Sequence, residues 1–397
     1  MEGVNSEPTK PTRMAQRWGI GGLAYLTGQP DGPPDFSRCN VLVHAERIAA
    51  DAATFLTGRA GLLGLPRRGR VSAGGATRML ATADGWCAVT LSRPDDVMAV
   101  PALVEADTDA VADDHWPVLQ RWTASRRSVE VVERTELLDI PAAALGETAA
   151  APPRTRQIAP PRQRHRSDGL LVADLSSMWA GPLCGHLLAR AGATVVKVES
   201  PRRPDGTRSG SRAFFDWING DKLSFCVDFD RDAHQLRELL DVADVVIEGS
   251  RPPALARRGL GPDDLAPRAG RIWLRISGYG EGSLRPAFGD DAAVAGGLVG
   301  TDGEGPVFCG DAIADPLSGL EAGRAVAESL RRGGGELIDV SMAAVAATYA
   351  ALPTEASAQN LAAPPPPAPP PARSAPELGA DNDAVRRLVS DRRCLSC

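Results

Sequence analysis

Asp290, Asp291, Asp311 and Asp315 form a carboxylate-rich segment that the pattern of apolar runs places at strand ends. Asp315 directly precedes Pro316, the residue that opens the longest predicted helix. Aspartate is a favoured helix N-cap, and proline is favoured next because its missing N–H is not needed there. The same placement orients a carboxylate and keeps it ionised through the helix dipole, which suits nucleophilic attack on an activated acyl carbon. Capping and catalysis are compatible, and spacing alone favours the cap. Other chemistries find less support. The chain holds no G-x-S-x-G, no Walker lysine loop and no H-E-x-x-H. Gly278-Tyr279-Gly280-Glu281-Gly282 lacks the G-x-G-x-x-G spacing and opens no helix, so a nicotinamide enzyme is unsupported. The five histidines never approach ligand spacing, and no metal site is expected. Seven scattered cysteines imply free thiols in a reducing compartment; Cys394 and Cys397 make a C-x-x-C, a weak redox or metal signal.

A fold that presents such carboxylates must end strands beside helix N-termini, and residues 168–350 are patterned to do so. Short β-rich runs at 170–175, 194–199, 224–229, 244–248, 271–277 and 336–340 alternate with helical stretches at 179–191, 233–240 and 316–332. That alternation implies right-handed crossovers and a Rossmann-like, mostly parallel sheet, an α/β core with ligands at its C-terminal strand ends. Residues 1–150 predict a smaller α+β domain. It has a hairpin at 77–81 and 86–91 around Ala83-Asp84-Gly85, and helices at 45–56, 95–104, 116–124 and 129–138. Residues 151–167, rich in proline and arginine, predict a linker, and 351–397 a polyproline tether (363–371) and a polar tail with a short helix near 384–389. The stretch 21–33 (GGLAYLTGQPDGP) echoes 296–306 (GGLVGTDGEGP), an echo that reads as a relic of duplication.

The composition is that of a soluble globular protein, with 43% hydrophobic and 24% charged residues. A net charge of −6 argues against general nucleic-acid affinity. No apolar stretch has the length of a membrane span and no secretory h-region opens the chain, so a cytoplasmic protein is expected. Of 44 basic residues, only Lys10, Lys197 and Lys222 are lysines.

Five ordered blocks carry a resemblance: GLLVADLSSMWAGPLCGHLLARAGATVVKVESP (169–201), NGDKLSFCVDF (219–229), ADVVIEGSRPPALARRGLG (243–261), RIWLRISGYGEG (271–282), and GDAIADPLSGLEAG with ELIDVSM (310–342). Together they resemble the family III CoA-transferases, the group of formyl-CoA transferase, carnitine CoA-transferase and α-methylacyl-CoA racemase. The resemblance implies that Asp315 is the nucleophilic aspartate that attacks an acyl-CoA thioester, giving an aspartyl anhydride and CoA thiolate, with no permanent cofactor. It also implies that backbone groups of Met178, Trp179, Ala180 and Gly181 contact the CoA portion. Arg257 and Arg202 or Arg203 would meet CoA phosphates, a homodimer is expected, and the substrates are acyl-CoA and a carboxylic acid.

Three departures matter. The family's E-N-F-x-P-G is E-G-S-R-P-P at 248–253. The racemase branch's G-H-D is Gly289-Asp290-Asp291, which makes an α-methylacyl-CoA racemase the alternative. A small-domain-like sequence precedes the core, and the L-G-x-x-x-x-x-V tail, Leu378 to Val385, follows only a proline segment. The first copy lacks an aspartate equivalent to Asp315, which assigns residues 18–150 a structural role; Gly74-Gly75 resembles part of the family's glycine-rich loop, though an ordinary loop is the favoured reading. A CoA-binding homologue without catalysis is the third reading.

Overall fold

The computed structural model describes residues 13–106, 114–162, 169–249, 253–355 and 361–394. Three helices open the described chain: α1 (Arg13–Ile20), α2 (Cys39–Ala45) and α3 (Ala52–Leu63). A small lobe follows: strands β1 (Thr77–Thr82) and β2 (Gly85–Thr90), helices α4 (Pro94–Met98), α5 (Val100–Val104), α6 (His115–Ala124) and α7 (Ser128–Leu137), and strand β3 (Ala142–Ala144). After β4 (Arg154–Gln157) come β5 (Leu171–Asp174), α8 (Ala180–Arg190), β6 (Thr194–Glu199), α9 (Arg212–Asn219), β7 (Leu223–Cys226), α10 (Ala233–Val242), β8 (Val245–Glu248), α11 (Pro253–Ala256) and β9 (Ile272–Ser277). The last elements are α12 (Gly289–Ala295), β10 (Val299–Thr301), β11 (Pro306–Phe308), α13 (Ala314–Arg332), β12 (Glu336–Ser341), α14 (Met342–Ala350) and α15 (Asn382–Cys394).

Among the described residues, seven strands form one sheet in the order β4-β12-β9-β8-β5-β6-β7, parallel except for β4. The four residues of β5 and of β8 are all buried, as expected of strands covered on both faces. Side chains alternate between those faces. Val172, Val245, Ile247, Ile272 and Leu274 join a core with α8 and α13. Leu171, Ala173, Val246 and Trp273 join Leu236 and Leu239 of α10 and Val385 and Val389 of α15. Chain order reverses between β5 and β8, so the crevice outside their carboxyl ends is the switch point where such sheets bind ligands.

The structure redraws several expected boundaries. Residues 151–167 include β4, an edge strand with all four residues exposed, paired to β12; residues 163–167 of that predicted linker lie outside the described residues. The predicted helix 45–56 is two helices, since the chain turns after Ala45 and restarts at Ala52. The predicted helix 95–104 is likewise split into α4 and α5. The N-terminal helices do not belong to the small lobe: Trp18, Phe36, Phe55 and Leu56 share one core with Trp179, Leu183 and Leu317. A separate core holds Leu80, Val89, Leu103, Leu119 and Val131 around the antiparallel β1-β2-β3 sheet.

The proline segment is not a free tether. Pro366 and Pro369 are buried, at the three-residue period of polyproline II, and the segment runs over glycines that leave room for it. A Cβ on Gly22 would lie 2.6 Å from Pro366, and one on Gly61 2.4 Å from the Pro367 carbonyl. The tail then docks: Asp381 accepts from the Ser224 N–H at 2.8 Å, and Asn382 bonds both backbone groups of Cys226. The echoing segments 21–33 and 296–306 meet in space, where Gln29 donates to Asp302 at 2.5 Å.

Candidate active site

Asp315 lies in the first turn of α13, not at its cap; the N-cap residue is Ile313, so the helix starts earlier than expected. The approach to α13 explains this. Ala312 takes a left-handed conformation, φ +43°, rare for a residue with a side chain. Its N–H donates to Asp290 at 3.0 Å, which ties the start of α13 to that of α12. The Gly289 backbone at the start of α12 lies against the Asp315 carboxylate and opposes the rise of its pKa. No side chain fits at Gly289, because a Cβ would lie 2.3 Å from the Ala312 carbonyl and 2.5 Å from Asp315 Oδ2.

The four aspartates named from sequence thus converge, with distinct surroundings. Asp291 and Asp311 are sealed from solvent, whereas Asp290 and Asp315 keep part of their surface open. Asp291 accepts from the Phe288 N–H and the Thr90 hydroxyl, both at 3.0 Å, which is structural work. Asp311 pairs with Arg59 of α3 at 2.6 Å. Desolvation pushes Asp315 up to about 7, with the nearby Asp290 charge adding to it and Arg59 opposing it. Asp290 is pushed up to about 6, by desolvation first and by Asp311 second. Against the expectation that the helix dipole keeps Asp315 ionised, burial favours its protonated form.

The segment carrying Met178, Trp179, Ala180 and Gly181 runs from the end of β5 into α8, at the switch point. It meets the Asp315 helix one turn on, where a Cβ on Gly319 would lie 2.7 Å from the Ala180 carbonyl. The Met178 N–H is already engaged, donating to Asp205 at 3.1 Å, and Met178 itself is left-handed at φ +73° with an exposed side chain. Trp179, Ala180 and Gly181 are buried. Arg202 follows β6, exposed and facing Asp228 at 3.3 Å and Asp230 at 3.6 Å. Arg203 is also exposed, bridging back to Ser200. Arg257 is exposed in the turn after α11. Of the altered loop at 248–253, residues 250–252 lie outside the described residues, as does Cys397. Among the described residues no cluster of metal-ligating side chains occurs, and no helix is long and apolar enough to cross a membrane.

Arg59 was missed from sequence. Its guanidinium sits 5.8 Å above the Trp179 ring while it binds Asp311, so it links the β5–α8 segment to the carboxylates. Nothing local marks it, since its role depends on α3 packing across α8 and α13. The Gly74-Gly75 loop is beside it: a Cβ on Gly74 would lie 3.1 Å from Arg59 Nη2.

Residues 168–381 match the model of CoA-transferase family III. The chain belongs to this family. It is 35% identical over 204 residues to an acyl-CoA transferase of Fusarium pseudograminearum, covering 44% of each chain. Over 195 residues it is 30% identical to succinyl-CoA–D-citramalate CoA-transferase of Chloroflexus aurantiacus, covering 44% of this chain and 48% of the relative. Over 188 residues it is 33% identical to human α-methylacyl-CoA racemase, covering 44% and 47%. The chain spans about half the length of these curated relatives.

Proposed function

We propose that this chain moves CoA between an acyl-CoA donor and a carboxylic acid acceptor, with Asp315 as the covalent relay. The observation that carries the reading is the setting of Asp315: a desolvated, partly open carboxylate, seated against the Gly289 backbone, one helical turn from the switch-point segment at Ala180. Stripped of water, a carboxylate is a stronger nucleophile than in solution. Its oxygen attacks the thioester carbonyl, the C–S bond breaks, and CoA leaves as thiolate. The thiolate then attacks the aspartyl carbonyl, freeing the donor acid and leaving an aspartyl-CoA thioester. The acceptor carboxylate attacks that thioester to form a second anhydride, and returning thiolate yields the new acyl-CoA and regenerates Asp315. Each step exchanges one acyl bond for another, so no redox or metal group is required.

The CoA portion is assigned to Met178, Trp179, Ala180 and Gly181, with Arg202 and Arg257 at the rim for phosphates. Because Asp205 holds the Met178 N–H, the contribution of Met178 is its exposed side chain. The working form is taken to be a cytoplasmic homodimer, following the family resemblance. The name of the Chloroflexus relative, a succinyl-CoA transferase, supports the transferase reading.

A racemase reading has one observation in its favour. Asp290 and Asp315, raised to about 6 and about 7, can hold a proton on one carboxyl and not the other, an acid and a base in one site. Mass spectrometry after mixing with an acyl-CoA panel separates the two. A hydroxylamine-sensitive adduct on Asp315, absent in Asp315→Ala, supports transfer. Exchange of the α-proton of 2-methylacyl-CoA in D2O without any adduct supports racemisation. Neither signal leaves only CoA binding and ends the enzyme reading.

A further inference from the structure

We propose that Arg59, which lies outside the residues that match the family, is the positioning residue of the Asp315 site: its guanidinium offsets the charge of the carboxylates and holds the turn that leads into Asp315. The inference deepens the reading of Asp315 as the transfer centre and rests on it.

Helix α3 delivers Arg59 to the site. Ala52, Phe55 and Leu56 of α3 are buried in one core with Leu183 of α8 and Leu317 of α13. Arg59 follows them at helical spacing on the same face, so docking that face carries the guanidinium inward. There it bonds Asp311 at 2.6 Å and lies 5.8 Å above the Trp179 ring. The small lobe leaves room for it, since a Cβ on Gly74 would lie 3.1 Å from Arg59 Nη2.

Asp311 is fully buried, and its second oxygen has no hydrogen-bond partner among the described residues, so its compensation comes from Arg59. The residue after it, the left-handed Ala312, serves two carboxylate residues at once. Its N–H donates to Asp290 at 3.0 Å, and its carbonyl accepts from the Asp315 N–H at 2.9 Å. Holding Asp311 therefore places Asp290 and Asp315 together. The charge acts at the same spot. Asp290 from α12 and Asp311 from the turn before α13 favour the protonated form of Asp315, and Arg59 from α3 opposes them. Arg59 also opposes the rise of Asp290 and of Asp311. An ion pair that only braced α3 would bear on folding and leave the titration of Asp315 in place.

The test is the pH profile of adduct formation on Asp315 in the full chain, read from pH 5 to 10 by rapid-quench mass spectrometry with an acyl-CoA. Arg59→Gln removes the cation, so the midpoint should move up by about one pH unit. The ionised nucleophile is lost as pH falls, so at pH 7 the rate relative to each protein's own alkaline plateau should drop from about a half to about a tenth. Lost placement lowers the plateau itself. Arg59→Lys keeps the charge and should keep the midpoint near that of wild type. Because Arg59→Gln strands Asp311, an Arg59→Gln/Asp311→Asn double variant, checked for its melting transition, should also move up, by less, since one opposing charge leaves with the other. A midpoint that stays or falls in Arg59→Gln, or one that moves as far in Arg59→Lys, overturns the proposal. If wild type forms no adduct, the transfer reading fails separately. Carbodiimide labelling of the Asp315 peptide, which needs the protonated carboxyl, then reads the same midpoint: an upward move in Arg59→Gln supports the role of Arg59, and no move overturns it.

Discussion

Replacing Asp290 by asparagine should move the pH dependence of adduct formation to lower pH. Asp315 is raised to about 7 by desolvation and then by the Asp290 charge, so in wild type the ionised nucleophile is lost as pH falls through 7. Asparagine keeps the shape and can still accept from the Ala312 N–H, but removes the like charge. Like charges sharing a site separate carboxyl titrations by about one to three pH units. The lower end applies here, because Asp315 is partly open and desolvation, the larger cause, is untouched. A fall of about one pH unit raises the ionised fraction at pH 6 from about a tenth to about a half, hence about fivefold faster adduct formation there. Above pH 8 both proteins are ionised and the variant should be no faster, since a less basic carboxylate is a weaker nucleophile. The assay is rapid-quench mass spectrometry of the Asp315 adduct from pH 5 to 9, with Asp315→Ala as blank. A profile that stays in place, or moves to higher pH, refutes the electrostatic account of Asp315. Because the two carboxyls are coupled, the wild-type profile reports the pair and the variant reports Asp315 alone.

Stability should also depend on the cluster. Asp291 is raised to about 8 by desolvation, so its contribution is fully present below the unfolded value near 4 and is lost as pH rises toward 8; Asp291→Asn should flatten the fall of Tm between pH 5 and 9, read by calorimetry. Gly319→Ala puts a methyl 2.7 Å from the Ala180 carbonyl and 3.0 Å from Leu183, which should cost about 1–3 kcal/mol in urea unfolding and raise KM for acyl-CoA. Gly61→Ala drives a methyl into the Pro367 carbonyl and should undock the proline segment, seen as faster cleavage within 361–371 in limited proteolysis. Lys222→Met leaves Asp174 buried without its partner at 2.8 Å and should destabilise by about 3–5 kcal/mol.

The alternation of strand and helix was legible because runs such as LVAD and VVIE are short, apolar and buried on both sides, a pattern with few other solutions. Their spatial order was not, since nothing within a strand states its neighbour. The carboxylate segment was legible as a group, but not the placing of Asp315 inside the helix, which turns on the left-handed Ala312. Helices α12 and α14 went unpredicted: GDDAAVA begins with loop-like acids, and MAAVAATYA carries almost no polar face to give a period. The composition of the proline segment announced its extended form. Its docking rested on glycines far earlier in the chain, including Gly22 and Gly61, whose value is only that they have no side chain.

The two described lysines make the same point about the switch-point segment. In a chain whose cations are almost all arginine, Lys197 and Lys222 are 2% and 3% exposed beneath that segment. Lys197 Nζ bonds the Ser176 carbonyl at 3.0 Å and Asp205 at 2.7 Å, and Asp205 in turn holds the Met178 N–H. Lys222 Nζ bonds Asp174 at 2.8 Å and the Pro182 carbonyl at 2.7 Å. Burial opposes ionisation of Asp174, yet Lys222 and Lys197 together hold it below the usual carboxylate range. An ammonium is a compact charge with three donors, and each here finds two partners: Lys222 from opposite sides of the β5–α8 turn, Lys197 from that turn and from Asp205 beyond β6. A guanidinium would bring five donors on a rigid plane into the same space and leave more of them buried and unpaired. Arginine therefore fits poorly at these two positions. The left-handed Met178, held by this network, is what turns the chain from β5 into α8 within one helical turn of Asp315.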